Sequence, residues 1–241
     1  MKKTIIALLA LAGMAVAGDV NTDNIKLTLK DVTFTKSDGT NTTTLTSGNA
    51  AMTWDGTTAY TFWYMEFTLP TVTRTGNYIA TITTGNSTTP SNGLSVSVTG
   101  TSLTLGSGHE NVIENTKTLS FSTTNVLTFA FYDGVAYLGN KSTGKYIFVT
   151  PSSTTTTTMT SGTSRAWANN VTVNNVTAGS TQIGATKIAS LDGLVIPEGQ
   201  KLDMATLMTT GVAKTMPVPE PTTATLSLLA LAGLAARRRR K

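Results

Sequence analysis

Leu127-Thr128-Phe129-Ala130-Phe131-Tyr132-Asp133-Gly134-Val135-Ala136-Tyr137-Leu138-Gly139-Asn140 decides the fold class. Two apolar-alternating runs flank an Asp-Gly pair. That pair favours a two-residue hairpin turn, because both central residues of such a turn need φ > 0. The loop Gly139-Asn140-Lys141-Ser142-Thr143-Gly144 then leads into Tyr146 to Val149. The reading is a three-stranded meander.

The same grammar extends in both directions. Ile25, Leu27 and Leu29 alternate, and Val32 and Phe34 continue the run. Thr61 to Leu69 is the most hydrophobic strand. Phe62, Tyr64 and Glu66 face one way, and Trp63, Met65, Phe67 and Leu69 the other. Aromatics on both faces predict a central strand, covered in part on both sides. Strands are also predicted over Tyr78 to Thr83, around Leu94, Val96 and Val98, at Leu103 and Leu105, and at Leu119 and Phe121. Further strands are predicted over Trp167 to Val176, Gln182 to Ile188 and Leu191 to Ile196. Ser152 to Thr158 is a threonine tract, expected as an exposed loop or edge. Asp203 to Met208 is expected to form one short helix capped by Asp203. Gly211 to Pro217 is expected as a linker. Thr, β-branched and stiff at χ1, dominates the polar positions and suits pleated strands. The fold class is all-β: a two-sheet antiparallel sandwich over residues 18–212.

The ends read differently. Met1-Lys2-Lys3 is a positive n-region, Ile5 to Ala12 an apolar core, and Ala15-Val16-Ala17 a cleavage site. The mature chain is expected to begin at Gly18, after a signal peptide over 1–17. At the other end, residues 213–241 hold a linker and three parts in order. These are Val218-Pro219-Glu220-Pro221, an apolar run from Ala224 to Ala236, and the cations Arg237, Arg238, Arg239, Arg240 and Lys241. The prolines stiffen and extend the first part. The terminal cations resist crossing a bilayer and stay on the cytoplasmic side. The apolar run is shorter than the ~20 residues of a stable spanning helix, which favours a transient membrane anchor.

This tail resembles the PEP-CTERM sorting signal of Gram-negative bacteria. The resemblance implies processing near Pro219 to Pro221 by an exosortase-type peptidase. It also implies passage through the inner membrane and a final place at the cell surface or in the extracellular matrix. The alternative is an ordinary C-terminal anchor. From Thr61 onward the order of elements resembles a laminin-G-like or concanavalin-A-like jelly roll. The resemblance rests on Phe62 to Phe67 with Gly76 to Ala80 and Gly93 to Val96, on Leu127 to Asn140, and on Leu191 to Ile196 with a short helix after it. Its pattern spans 20–212, and the threonine tract departs from it.

The targeting segments distort the charge. The chain carries 18 Lys+Arg and 13 Asp+Glu, with a pI near 9.5. Residues 18–236 hold all 13 acids but only 11 of the cations, so the body is near −2. A nucleic-acid partner has no electrostatic support. Cysteine is absent, which excludes disulfides and thiolate chemistry.

Residues for catalysis are sparse. His109 is the one histidine, in a Gly-Ser-Gly-His-Glu loop with Glu110 and Glu114 nearby. A triad or a His-based metal site needs more than this. Glycoside hydrolysis needs two carboxyl groups about 5–10 Å apart, and no strand carries acids at alternate positions. Glu66 is alone on its strand; Asp133, Asp192 and Asp203 each fit a turn or cap. The chain is expected not to be an enzyme and to need no cofactor. Laminin-G-like modules can hold calcium, and Asp38, Asp55 and Asp133 sit in suitable turns, but Asp-Gly turns are common without metal.

Sugar sites set aromatic faces beside polar groups. Trp63 reads as core, which leaves Trp54 and Trp167 as ligand-stacking candidates, weighed against core or rim packing. The expected function is a non-enzymatic structural or adhesive role in the exopolysaccharide layer. The alternative is a lectin-like carbohydrate-binding module, and below it a divergent glycoside hydrolase. An exposed Trp or Tyr on a concave sheet would favour the lectin.

Overall fold

A computed structural model describes residues 24–36, 44–46, 48–56, 59–69, 80–84, 93–109, 112–162, 165–168, 180–182 and 185–218. The signal segment, Ala15, Ala17 and Gly18, and the tail from Pro219 through Lys241 lie outside the described residues, as do Asp38 and Glu110. Among the described residues no helix is long and apolar enough to cross a membrane.

The strands run in chain order as follows: β1 Lys30–Asp31, β2 Thr33–Lys36, β3 Thr44–Thr46, β4 Gly48–Thr53, β5 Ala59–Tyr60, β6 Trp63–Phe67, β7 Ala80–Thr83, β8 Leu94–Thr99, β9 Ser102–His109 and β10 Val112–Ser120. Then come β11 Leu127–Tyr132, β12 Val135–Asn140, β13 Lys145–Val149, β14 Met159–Thr160, β15 Arg165–Ala168, β16 Ser180–Gln182, β17 Thr186–Ser190, β18 Gln200–Leu202, helix α1 Met204–Thr210 and β19 Thr215–Pro217. The chain divides into two compact units. Of the described residues, one holds those within Asn24–Val195 and Asp203–Lys214; the other holds Ile196–Leu202 and Thr215–Val218.

In the larger unit two antiparallel sheets dominate. Six strands run β1-β17-β6-β11-β12-β13, and seven run β10-β9-β8-β7-β15-β4-β2. One apolar cluster draws on both. Trp63, Met65, Phe67, Phe129, Leu138 and Ile188 come from the first, and Phe34, Met52, Ile82, Val96, Leu103 and Leu105 from the second. This is the expected two-sheet architecture. Trp63 is fully buried, edge-on to Phe129 at 4.6 Å between ring centroids, and its indole N–H donates to Thr157 O at 2.8 Å. Burying even a smaller apolar side chain contributes about 1.5–3 kcal/mol. β6 is central, as its two-faced aromatics predict, with β17 and β11 on either side.

The meander forms as read. Tyr132 pairs with Val135 across Asp133 and Gly134, whose φ values of 48° and 75° are both positive, as the hairpin turn demands. Helix α1 also forms, with the Asp203 carboxylate accepting from Thr206 N at 3.0 Å. It ends at Gly211 in the left-handed region, φ 78°. Its buried residues are Met204, Leu207 and Met208.

Four expectations need correction. Ile25 to Leu29 is not a regular strand: Ile25 alone bridges Ala213, and Leu29 is 36% exposed. Pairing with β17 begins at Lys30 and Asp31 and continues with Val32 N donating to Thr186 O at 2.9 Å, so among the described residues the alternation upstream has no strand beside it. The threonine tract is not simply exposed. Thr156 bridges Gly93 and accepts from the Thr84 hydroxyl at 2.6 Å, while Thr157 O accepts from Trp63, so its carbonyls satisfy buried donors. Leu191 to Ile196 is a turn and coil, because the Asp192 carboxylate is committed to the N–H groups of Thr61 and Phe62 at 2.8 and 2.7 Å. Leu191 is buried, but Val195 is 87% exposed. Gly211 to Pro217 is not all linker. In the smaller unit, β19 pairs with β18, and Val218 N donates to Gly199 O at 2.8 Å.

Candidate functional site

The outer face of the six-stranded sheet follows from strand period. In β13, Ile147 and Val149 turn to the core, so Tyr146 and Phe148 point the other way. Phe148 lies directly across from Tyr137 of β12, and Tyr146 across from Gly139. The Tyr137 and Phe148 ring centroids are 6.2 Å apart with their planes 43° apart. Tyr146 and Phe148 are 6.4 Å apart at 31°. Tyr146 is 37% exposed and Phe148 46%. Tyr137 is half-buried; that burial, with smaller contributions from Tyr146 and Asp133, holds its phenol protonated to higher pH than usual. The Lys117 ammonium stands 4.5 Å from the centroid of Phe148. An extra residue in β10 between Glu114 and Lys117 shifts the register and sets Lys117 opposite Leu105, in phase with buried Leu119. The result is an open aromatic surface with two phenol hydroxyls and an ammonium at its rim.

Beside it the same face is closed. The Thr128 hydroxyl donates to Met208 O at 2.8 Å, and a Cβ on Gly139 would collide with that carbonyl and with Thr128 Oγ1. The α1 helix therefore lies against β11, β12 and the neighbouring part of β13. Tyr64, fully buried, donates to Glu66 Oε1 at 2.8 Å, and Lys141 Nζ reaches the same oxygen at 2.8 Å. Burial, then the Glu66 charge and hydrogen bond, push the Tyr64 phenol far above its ordinary value.

The candidates named from sequence are not brought together here. Trp54 is 2% exposed and stacks on Tyr60 at 5.5 Å, so its ring face is not open to a ligand. Its buried indole N–H has no hydrogen-bond partner among the described residues. Trp167 lies on β15, between β4 and β7; its side chain is outside the described residues. The backbone of His109 ends β9 rather than sitting in a loop, and Glu114 is on β10; neither side chain is described. Asp55 is ion-paired with Lys30. Asp133 serves the tight turn, and among the described residues no group of three His, Asp or Glu could hold a metal. Of the sorting residues, Val218 is described and 45% exposed. Tyr137, Tyr146, Phe148 and Lys117 were not singled out from sequence. The available signal was the alternation in Lys145–Val149, which sets two aromatics on the face opposite two aliphatic core residues.

A family model, the PEP-CTERM protein-sorting motif, matches residues 217–241. The chain carries this motif, and with it export through a membrane-associated sorting step. No curated protein matches the chain. Among solved structures, the chain is similar to one of botulinum neurotoxin type C, whose cell entry depends on interaction with two ganglioside molecules. The identity is 13% over 70% of this chain and 44% of that one, with a TM-score of 0.38. It is also similar to the VIP36 exoplasmic/lumenal domain in its Ca2+/Man3GlcNAc-bound form. There the identity is 11% over 70% of this chain and 84% of that one, with a TM-score of 0.40. The chain spans less than half of the toxin chain, and the fold described above stands on its own strand order.

Proposed function

We propose that this protein is a non-enzymatic component of the cell surface or extracellular matrix, delivered through its C-terminal motif and resident in the exopolysaccharide layer. The sorting motif at 217–241 is the observation that carries the reading. In this reading an exosortase-type peptidase cuts near Pro219 to Pro221 after a transient stay in the inner membrane. A structural or adhesive role is supported by the duties of five of the described acids. Glu66 holds Lys141 and Tyr64, Asp31 holds Lys187, Asp55 holds Lys30, Asp192 caps a loop and Asp203 caps α1. A carboxyl already committed to an ion pair or a backbone donor is poorly placed for acid–base chemistry.

The test is intact mass and fractionation from the native host. The expected product lacks residues 1–17, ends near Pro219 to Pro221, and lies outside the inner membrane. A chain that keeps Arg237 to Lys241 and stays in the membrane would overturn the reading. The lectin-like alternative is favoured by one observation, the open aromatic face on β12 and β13.

A further inference from the structure

We infer that the outer face of β12 and β13 is a docking platform for an acidic polysaccharide, with Tyr137, Tyr146 and Phe148 stacking on sugar rings and Lys117 pairing with its carboxylates. The inference deepens the matrix reading above and rests on it.

The fold does not need these rings where they stand. Ile147 and Val149 supply what β13 gives the core, and Tyr146 and Phe148 remain open to water. A contiguous exposed apolar patch rimmed by polar groups marks an interaction surface. Its chemistry suits a sugar chain. The rings spread over two neighbouring strands, 6.2 and 6.4 Å apart and modestly tilted, so a flat pyranose can lie against them. Tyr137 and Tyr146 add hydroxyls that donate to and accept from sugar hydroxyls.

The charge at the rim selects among glycans. Lys117 over Phe148 is a cation at this rim, on a body whose overall charge is slightly negative, whereas Lys145 is in phase with Ile147 and Val149 and starts from the other face. Lys141, nearby in sequence, is already paired with Glu66. The carboxylate that acts on this face is Asp133, at the turn end of β12. An ammonium beside stacked rings, in no ion pair among the described residues, complements a polymer of uronic acids better than a neutral one.

The test uses the full chain in mild detergent, with alginate as the acidic probe and dextran as the neutral one. Alginate binding is expected to exceed dextran binding and to weaken with added salt. Tyr146→Ser and Phe148→Ser should each weaken it about three- to tenfold. Lys117→Gln should weaken it and flatten the salt dependence. Val195→Ser, an exposed change elsewhere, should leave it unaltered. Unchanged thermal melting checks that the variants fold. Absence of alginate binding would overturn the inference, and so would equal binding by the Tyr146/Phe148 double variant. A dimer in sedimentation that the same variants abolish would also overturn it, by showing that a second copy covers the face. If the fractionation test succeeds and alginate binding fails, the docking inference alone falls. If the chain stays anchored in the membrane, the matrix reading falls whatever it binds.

Discussion

The outer face of the six-stranded sheet is finished in two ways. Over Thr128 and Gly139 the side chains are small, and α1 comes down on them closely enough for Thr128 to reach the Met208 carbonyl. Over Tyr137, Tyr146 and Phe148 the side chains are large and stay open. Three neighbouring strands, β11, β12 and β13, thus carry both a packing surface and a free one. The difference teaches that exposed aromatics here are not leftover core. The chain has a helix with three buried apolar residues and uses it beside them. If the comparison is right, substitutions in the closed half change stability, and those in the open half leave it alone.

The largest effect is expected at Gly139. In Gly139→Val the new side chain meets Met208 O and Thr128 Oγ1, so α1 must lift and the Thr128 hydrogen bond is lost. Overpacking and the broken bond together cost about 3 kcal/mol. Urea denaturation of the variant measures it. A loss within error of zero would show that α1 is not held there.

Tyr64 comes next. Its hydroxyl donates to a carboxylate in a buried setting, so Tyr64→Phe should cost about 2 kcal/mol. The pH dependence has a definite sign. The folded phenol titrates far above the ordinary value of 10.0, so the unfolded chain loses that proton first. The contribution is fully present below pH 10 and declines as pH rises beyond it. Denaturation midpoints across that range should fall with pH in the parent and fall less steeply in Tyr64→Phe. Tyr132 and Tyr137, both shifted upward mainly by burial, supply the residual slope. Parallel slopes in the two proteins would place the coupling elsewhere.

Asp203→Ala tests the helix that closes the face. The carboxylate accepts from both the backbone and the hydroxyl of Thr206, at 3.0 and 2.6 Å. Loss of such a cap costs about 1 kcal/mol. Hydrogen exchange should quicken in α1 before it quickens in β11 and β12; uniform quickening would mean that α1 and the sheet open as one.

What could be read in advance follows the same division. The meander was legible because local alternation and one Asp-Gly turn determine it, and α1 because Asp203 signals its start. The helix's docking place was not, since it depends on Gly139 and Thr128, far from α1 in sequence. Leu191 to Ile196 misled because a short apolar alternation looks the same in a strand and in a loop. Only the contact of Asp192 with Thr61 and Phe62, some 130 residues back, decides between them. Trp54 offered two readings, and its stacking on Tyr60 selects the buried one. Tyr146 and Phe148 passed unnoticed because an aromatic in a strand is ordinarily core, and no single residue reports which face of β13 is covered.

The smallest effect on stability is expected where the rings are most open. Tyr146→Ser and Phe148→Ser remove apolar area that water already touches, and neither leaves a buried polar group without a partner. By that alone each should shift stability by no more than about 0.5 kcal/mol, the usual range for surface changes. Phe148→Ser also removes the ring beneath the Lys117 ammonium, an exposed pairing worth about 0.5–1 kcal/mol, so its loss should exceed that of Tyr146→Ser and reach about 1 kcal/mol at most. Paired urea titrations of both variants against the parent measure this. A loss near that at Gly139 would show that the rings are structural and the two halves of the face are alike. Retained stability, with alginate binding gone, separates them: one half holds the fold together, and the other meets what lies outside it.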